Sequence, residues 1–423
     1  MLKCTCVGGC RRGKERMSNS KPVVSQGTAE PEYALWEPLD PDVAGVFRGI
    51  SSEDRAYRDR ARTFVQEEVR PVIAGIWDRA EYPLDLALRL GELDLLRDGI
   101  DVPGFPDQSL LAASLTMMEL ARGDGSIATI AGVQGGLALR SIAYCGSDEQ
   151  RERWSEPLAR GRELGAFALT EPTHGSDSVS LETSAESDGD EYVITGHKKW
   201  IGSGSVGQIS VVWARGDDGQ VQGFLVPQDA EGYRATTIEG KVSLRAIWQA
   251  HIELDGVRVP ASARMPGANS FKDTARVLQA TRLGVAWSAL GHAVAVYESA
   301  VHYAKQRVQF GRPLAASQIV QSRLTEMLSA LTSLQTLLMQ LTRAEERGEL
   351  SGPGASLGKY TATRTARDLA RNARDLLGGN GILLENRVAR HFADIEALHT
   401  YEGTETVQAL IIGRDITGIS AFA

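Results

Sequence analysis

The sequence predicts an α+β protein of several domains: an N-terminal helical domain, a middle β domain curled into a small barrel, and a C-terminal helical bundle. Three observations predict it. Apolar residues recur at helical spacing near both ends, as in Leu86, Leu90 and Leu93, and later Leu324, Met327, Leu331, Leu334, Leu338 and Leu341. Between about Gly165 and Pro260 the pattern turns strand-like. The 423 residues are enough for two or three subdomains with substantial cores. The expected divisions are an arm over 1–45, a helical domain over 46–164, a β domain over 165–270 and a helical bundle over 271–423.

Residues 1–45 are polar with scattered Pro and Gly, which predicts a loosely held arm. Ser52 resembles an N-cap, with Glu53 and Asp54 in the first turn. Further helices are expected over Ser109 to about Arg122 and over Gln134–Tyr144. Tyr192-Val193-Ile194 is β-rich, and Ile209–Ala214, Asp217-Asp218-Gly219 and Gly223–Val226 read as a hairpin with its turn. His251–Leu254 alternates and is expected to end in a turn at Asp255-Gly256. Helices return from Ser270. Gly352-Pro353-Gly354 is expected to stop the Leu-rich helix, and Gly378-Gly379 to stop the next, over Ala355–Leu377.

Composition excludes some classes. A formal net charge of −8 gives no electrostatic reason to expect a nucleic-acid ligand. The longest apolar runs fall well short of the roughly 20 residues of a membrane span. Cys4, Cys6 and Cys10 crowd the N-terminus and only Cys145 lies in the body, so a disulfide framework is not expected and a reducing cytoplasm is. No His or Cys near the first three completes a metal site, and no metal is expected. Met17 offers a second start, so residues 1–16 are read as an over-extended reading frame or a cloning remnant.

The chemistry is carried by short runs in a fixed order: Thr170-Glu171-Pro172 with Gly175-Ser176-Asp177, then Trp200, then Arg307 with Gln309-Phe310-Gly311, then Leu377-Gly378-Gly379-Asn380-Gly381, then Tyr401-Glu402-Gly403-Thr404. Each is weak alone. In this order, across residues 50–423, they resemble the acyl-CoA dehydrogenase superfamily. Leu410–Phe422 is similar to runs in glutaryl-CoA dehydrogenases and in short-chain acyl-CoA oxidases, and Pro266–Phe271 to a run in the oxidases.

The resemblance implies that Glu402 is the base that takes an α-proton from a thioester. Such a proton is too weakly acidic for a free carboxylate in water. A dry pocket strengthens the base, and fixed donors at the thioester oxygen stabilise the developing charge by about 3–4 kcal/mol each. On its own, Glu402 reads equally as a charge complementing a helix N-terminus.

The resemblance further implies FAD, held along the isoalloxazine by Phe167, Leu169 and Thr170, with Gly175 where backbone approaches closely and Ser176 at a flavin or CoA phosphate. Trp200, Ile201 and Gly202 would lie on the other side of the ring. Most relatives carry Thr where this chain has Gly202; the oxidases carry Gly. Arg307, Gln309, Phe310 and Gln318 would reach a flavin across a subunit boundary, and Gly378 and Gly379 would let backbone approach the dinucleotide. Thr404 and Thr406 complete the implied cofactor set. A flavin shared between protomers implies an oligomer, a homotetramer built as a dimer of dimers.

For the substrate, the resemblance implies contacts from Arg282 to CoA and from Ser176, Thr129, Tyr401 and Gly403 to the acyl thioester. Thr281 stands where some relatives keep their catalytic glutamate. Glutaryl-CoA dehydrogenases keep an arginine and, about two turns earlier, a glutamate; the matching positions here are Ala128 and Ala121, so glutaryl-CoA is not expected as substrate. The expected reaction is α,β-dehydrogenation of a short- or medium-chain acyl-CoA, with electrons passed to an electron-transfer flavoprotein. Three alternatives stay open: an oxidase that passes electrons to dioxygen, a dehydrogenase of a carrier-protein thioester, and a flavoprotein that only binds.

Overall fold

Ser51, not Ser52, caps the first helix: its side chain accepts from the N–H of Asp54, and the helix runs Ser52–Phe64 (α1). Adjacent serines differ only in which one adopts the extended cap conformation, which sequence alone does not reveal. The computed structural model describes residues 32–421. The chain divides into two units, Met1–Tyr33 and Ala34–Ala423. The expectations for the cysteine-rich start and for residues 1–16 lie outside the described residues. The rest of the arm is not loose from Ala34 on. Leu35 and Trp36 are buried, the Arg387 guanidinium lies 4.7 Å from the Trp36 ring centre, and the Leu39 N–H donates to Glu298 at 2.9 Å.

The N-terminal helices continue as Ile73–Arg79 (α2), Leu84–Glu92 (α3), Leu110–Gly123 (α4), Gly125–Ala131 (α5), Arg140–Cys145 (α6) and Asp148–Ala159 (α7). Ser109 caps α4, as expected. The helix expected over Gln134–Tyr144 begins earlier and carries a wider turn over Gly132–Leu139, joining α5 to α6. A wide turn needs an extra residue per loop, and the glycines there (Gly132, Gly135, Gly136) leave room for a neighbouring segment to approach.

Seven strands follow: Gly165–Ala168 (β1), Ser184–Asp188 (β2), Glu191–Gly202 (β3), Ile209–Gly216 (β4), Val221–Pro227 (β5), Tyr233–Thr237 (β6) and Gln249–Pro260 (β7). They form one sheet in the order β1-β4-β2-β3-β7-β6, with β5 on β4. The β4–β5 hairpin is antiparallel, pairing Val212 with Phe224. The turn expected at Asp255-Gly256 does not form. Gly256 takes a positive φ of 63° and β7 runs through it to Pro260. Ala168, Ile194, Val212, Phe224, Ile252 and Val257 pack into a core made of strand residues alone, so the sheet curls around its own interior. Its other face shares a second core with α6 and α7 through Phe167, Leu169, Trp213, Ile142 and Leu158.

The C-terminal part opens with Phe271–Gln306 (α8), capped reciprocally by Ser270 and Asp273. A small hairpin, Val308–Gln309 (β8) and Arg312–Pro313 (β9), leads to Gln318–Glu346 (α9). Gly352 and Pro353 do not stop α9. They start Gly352–Leu377 (α10), with Ser351 as cap. Proline in a first turn loses no hydrogen bond, so the same pair of residues reads as a start or a stop. Val388–Thr400 (α11) and Glu405–Thr417 (α12) complete the bundle. Met327, Leu331, Leu334 and Leu338 of α9 are buried, and each such side chain contributes roughly 1.5–3 kcal/mol. No helix among the described residues is long and apolar enough to cross a membrane.

Candidate active site

Only Tyr401, Glu402, Gly403 and Thr404 separate α11 from α12. Tyr401 closes α11, its N–H donating to Ala397 at 2.8 Å, and the Thr404 hydroxyl caps α12 by accepting from Val407. To turn within this span, Glu402 and Gly403 both take positive φ, 52° and 85°. A left-handed glutamate costs about 1–2 kcal/mol and needs support. Gln408, fully buried, gives it, donating to the carbonyls of Glu402 at 3.0 Å and Gly403 at 3.1 Å. The buried Lys359 of α10 donates to the carbonyls of Tyr401 and Gly403. The turn is thus fixed from two sides.

The Glu402 carboxylate accepts from the Thr281 hydroxyl of α8 at 2.6 Å. Burial raises its pKa above the usual carboxylate range. The Thr281 bond, Lys359 and Arg282 oppose the rise, while Asp98 adds to it. Burial in turn pushes Lys359 down to about 8 and lowers Arg282, whose guanidinium lies 3.4 Å from the Ser356 hydroxyl. Arg282 therefore stands beside Glu402 within the fold. The Tyr401 hydroxyl is pushed up by burial, with the Glu402 charge adding to this and the nearby Thr129 side chain opposing it. Thr129 also donates to the Gly125 carbonyl at 2.7 Å. Glu402, Tyr401, Gly403, Arg282 and Thr129 are thus brought together. A carboxylate of raised pKa, held by donors and poorly solvated, is equipped as a general base.

The segment around Thr170 joins this group through Gly202. A Cβ on Gly202 would lie 2.9 Å from Val133, one turn beyond Thr129. Behind Gly202, β3 is locked to the loop after β1. The buried Lys198 donates to Glu171 at 2.9 Å and to the Leu169 carbonyl at 3.1 Å, and the Lys199 N–H donates to Thr170 at 2.9 Å. Glu171 also accepts from Thr183 and from the N–H of Glu182, so its oxygens are committed to holding the loop. Next along β3, Trp200 takes a positive φ of 68° and is 55% exposed, an unusual display of a large apolar ring. Thr170 is half-buried, Gly175 and Ser176 are exposed, and no atom crowds Gly175. This edge offers a flat ring a Trp face, the Thr170 hydroxyl and open backbone, and an anionic tail the Ser176 hydroxyl; the residues present fit a flavin. Phe167 and Leu169 turn into the core, Phe167 lying 6.0 Å from Trp213 between ring centres, and Ile201 is buried.

A second group of expected residues sits elsewhere. Arg307 lies 26 residues beyond Thr281 on α8, about 39 Å along the axis. Gln309 and Phe310 occupy the exposed hairpin beyond it, Phe310 fully exposed, and Gln318 begins α9. Gly378 and Gly379 end α10 at the same place: the Asn380 amide donates to the Tyr303 hydroxyl at 3.0 Å. Thr404 serves as a cap, and Thr406 is exposed on α12.

Sequence reasoning missed Lys359, Gln408, the hydroxyl role of Thr281, and Asp98. The one signal for Lys359 was a cation among small residues, Gly354-Ala355-Ser356 and Gly358.

Comparison with known proteins gives the family. Three family models match in order: Acyl-CoA dehydrogenase, N-terminal domain, over residues 51–162; middle domain, over 166–257; and C-terminal domain, over 271–417. A relative in Bos taurus, the mitochondrial short-chain specific acyl-CoA dehydrogenase, is 32% identical over 364 residues, covering 84% of this chain and 88% of its own. A solved glutaryl-CoA dehydrogenase from Mycobacterium smegmatis is 41% identical with a TM-score of 0.89, covering 91% of this chain and all of its own. A second, from the same organism and in complex with FADH2, is 35% identical with the same TM-score and coverage.

Proposed function

Because the chain belongs to the acyl-CoA dehydrogenase family, we propose that Glu402 removes an α-proton from a short- or medium-chain acyl-CoA, giving the trans-2-enoyl-CoA. The protein is an FAD-dependent oxidoreductase. Bound FAD supplies the acceptor for the hydride that leaves the β-carbon. The chain's own residues do the rest. Thr170, Ser176 and Trp200 would hold the flavin. Thr281 and the cations Lys359 and Arg282 favour the ionised form of Glu402 against the effect of burial. The N–H of Glu402 makes no hydrogen bond among the described residues and is left to meet the thioester oxygen, where charge develops as the proton leaves.

The single observation that carries this reading is the Glu402 carboxylate, raised in pKa and bonded to Thr281. Anaerobic addition of butyryl-CoA to the holoenzyme tests it. Bleaching of the flavin absorbance is expected; no bleaching with any saturated acyl-CoA contradicts it.

Ala121 and Ala128 are buried and apolar, so a γ-carboxylate beside them would have no cation there, at a cost of several kcal/mol. We therefore propose that glutaryl-CoA is not decarboxylated, although solved glutaryl-CoA dehydrogenases are similar overall; release of carbon dioxide from it contradicts this. An electron-transfer flavoprotein is the proposed acceptor. Gly202 supports a second reading, with dioxygen as acceptor, and rapid peroxide release in an aerobic assay without mediator would favour it. The exposed Val308 and Phe310, on the hairpin beyond Arg307, support contact between protomers in a homotetramer.

A further inference from the structure

We propose that Asp98, braced by Arg140, forms a polar wall of the acyl slot that selects acyl chains carrying a hydrogen-bond donor, such as a hydroxyl group, beyond the β-carbon. The inference rests on Glu402 being the base.

The placement follows from Gly136. A Cβ there would meet Asp98 Oδ2 at 3.0 Å and the Thr281 methyl at 3.5 Å. Thr281 is the residue whose hydroxyl holds Glu402. Asp98 and Thr281, the residue that holds the reacting carboxylate, thus flank the same position, Gly136, which lacks a side chain. The Asp98 charge is felt at Glu402, where it adds to the upward shift. Backbone geometry delivers Asp98 to this spot: its φ is 51° and that of Gly99 is 77°. Aspartate is among the residues that tolerate this conformation best.

Arg140 lies behind it, 4% exposed. One terminal nitrogen donates to the Asp98 carbonyl at 2.6 Å and to Oδ2 at 2.9 Å; the other donates to the Tyr144 hydroxyl at 3.0 Å. Its Nε is buried without a partner. Asp98 keeps the guanidinium charged against the effect of burial. Oδ2, the oxygen beside Gly136, accepts a side-chain bond from Arg140 alone and keeps a second lone pair, Oδ1 accepts no hydrogen bond among the described residues, and the side chain is 14% exposed. An alkyl tail pressed against this carboxylate strips it of water and offers nothing in return. A hydroxyl donates to it. A terminal carboxylate meets a like charge. The wall thus favours a hydroxyacyl chain over both an alkyl and an acidic one.

The test compares kcat/KM of the holoenzyme for butyryl-CoA with 4-hydroxybutyryl-CoA, and for valeryl-CoA with 5-hydroxyvaleryl-CoA. The hydroxylated member of at least one pair is expected to be better by about 10- to 100-fold, the range of a hydrogen bond to a charged group. Asp98→Leu with Arg140→Met removes both partners and leaves no buried cation alone. That double variant is expected to lose the preference, both in kcat/KM and in binding affinity measured on the Glu402→Gln background. Alkyl chains turned over as well as, or better than, their hydroxylated counterparts by the unaltered enzyme overturn this inference and leave the dehydrogenase reading standing. A preference that survives in the double variant overturns it too. Failure of every chain to bleach the flavin overturns both.

Discussion

The Thr281 hydroxyl donates to the Glu402 carboxylate at 2.6 Å, joining α8 to the turn between α11 and α12. The bond has a direction. It favours the ionised base in a place where burial favours the protonated one. The base sits in that balance, its pKa above that of a free glutamate, and the balance is open to experiment.

Thr281→Val keeps the shape and removes the bond. With burial less opposed, the Glu402 pKa should rise, and the acid limb of kcat/KM should move to higher pH. A hydrogen bond to a charged group is worth about 1.5–3 kcal/mol, so the limb should move by roughly one to two pH units. The pH profile of flavin reduction measures it. An unmoved limb would show that the hydroxyl does not tune the base.

Lys359→Met removes a charge beside Glu402 and both bonds that pin the carbonyls of Tyr401 and Gly403. Both losses act in one direction: the base is harder to ionise and less well aimed. Flavin reduction should slow by at least about tenfold at neutral pH, with a loss of folding stability of about 1–3 kcal/mol. Stopped-flow reduction and thermal unfolding report the two effects separately.

Gly202→Thr should overpack, because its Cβ would fall 2.9 Å from Val133. Lower flavin content is expected, at a cost of about 1–3 kcal/mol in stability. Val133→Ala in the same chain should restore the flavin. If Gly202→Thr alone retains full flavin and stability, Val133 gives way more easily than the geometry indicates.

The His292 and His391 rings meet at 2.8 Å, fully buried, and burial pushes His292 down to about 3 and His391 well below its usual value. Both stay neutral in the fold and become charged in the unfolded chain below pH about 6.5. The unfolded state therefore binds more protons there, and stability must fall as pH falls from that value towards 3. His292 should remove about 2 kcal/mol between pH 7 and pH 5, and His391 should add to the loss. Denaturant unfolding at those two pH values should show this loss, and His292→Leu with His391→Leu should shrink it.

Long-period signals were legible in the sequence, and pairings between distant segments were not. The helix–sheet–helix order, the Ser109 cap, the Ser270 start and the β4–β5 hairpin all follow from local pattern. Choices between local equivalents were lost. Ser51 and Ser52 are the same residue type, Gly352-Pro353 suits a helix start as well as a stop, and Gly256 turned out to sit within a strand. Leu35 and Trp36 looked like part of a polar arm because their partners, Glu298 and Arg387 among them, lie far along the chain. At the site, Glu402 stood out by its neighbours Tyr401 and Gly403. Lys359 and Thr281 did not, since nothing local to either announces a carboxylate more than 40 residues away.

The most direct test of the account is Glu402→Gln, mixed anaerobically with a saturated acyl-CoA that reduces the unaltered enzyme, while flavin absorbance is followed. The side chain keeps its size and its bond to Thr281 but cannot take a proton. Flavin content and ligand binding should persist, and bleaching should slow by about 100- to 10,000-fold. Bleaching at the unaltered rate would contradict the account.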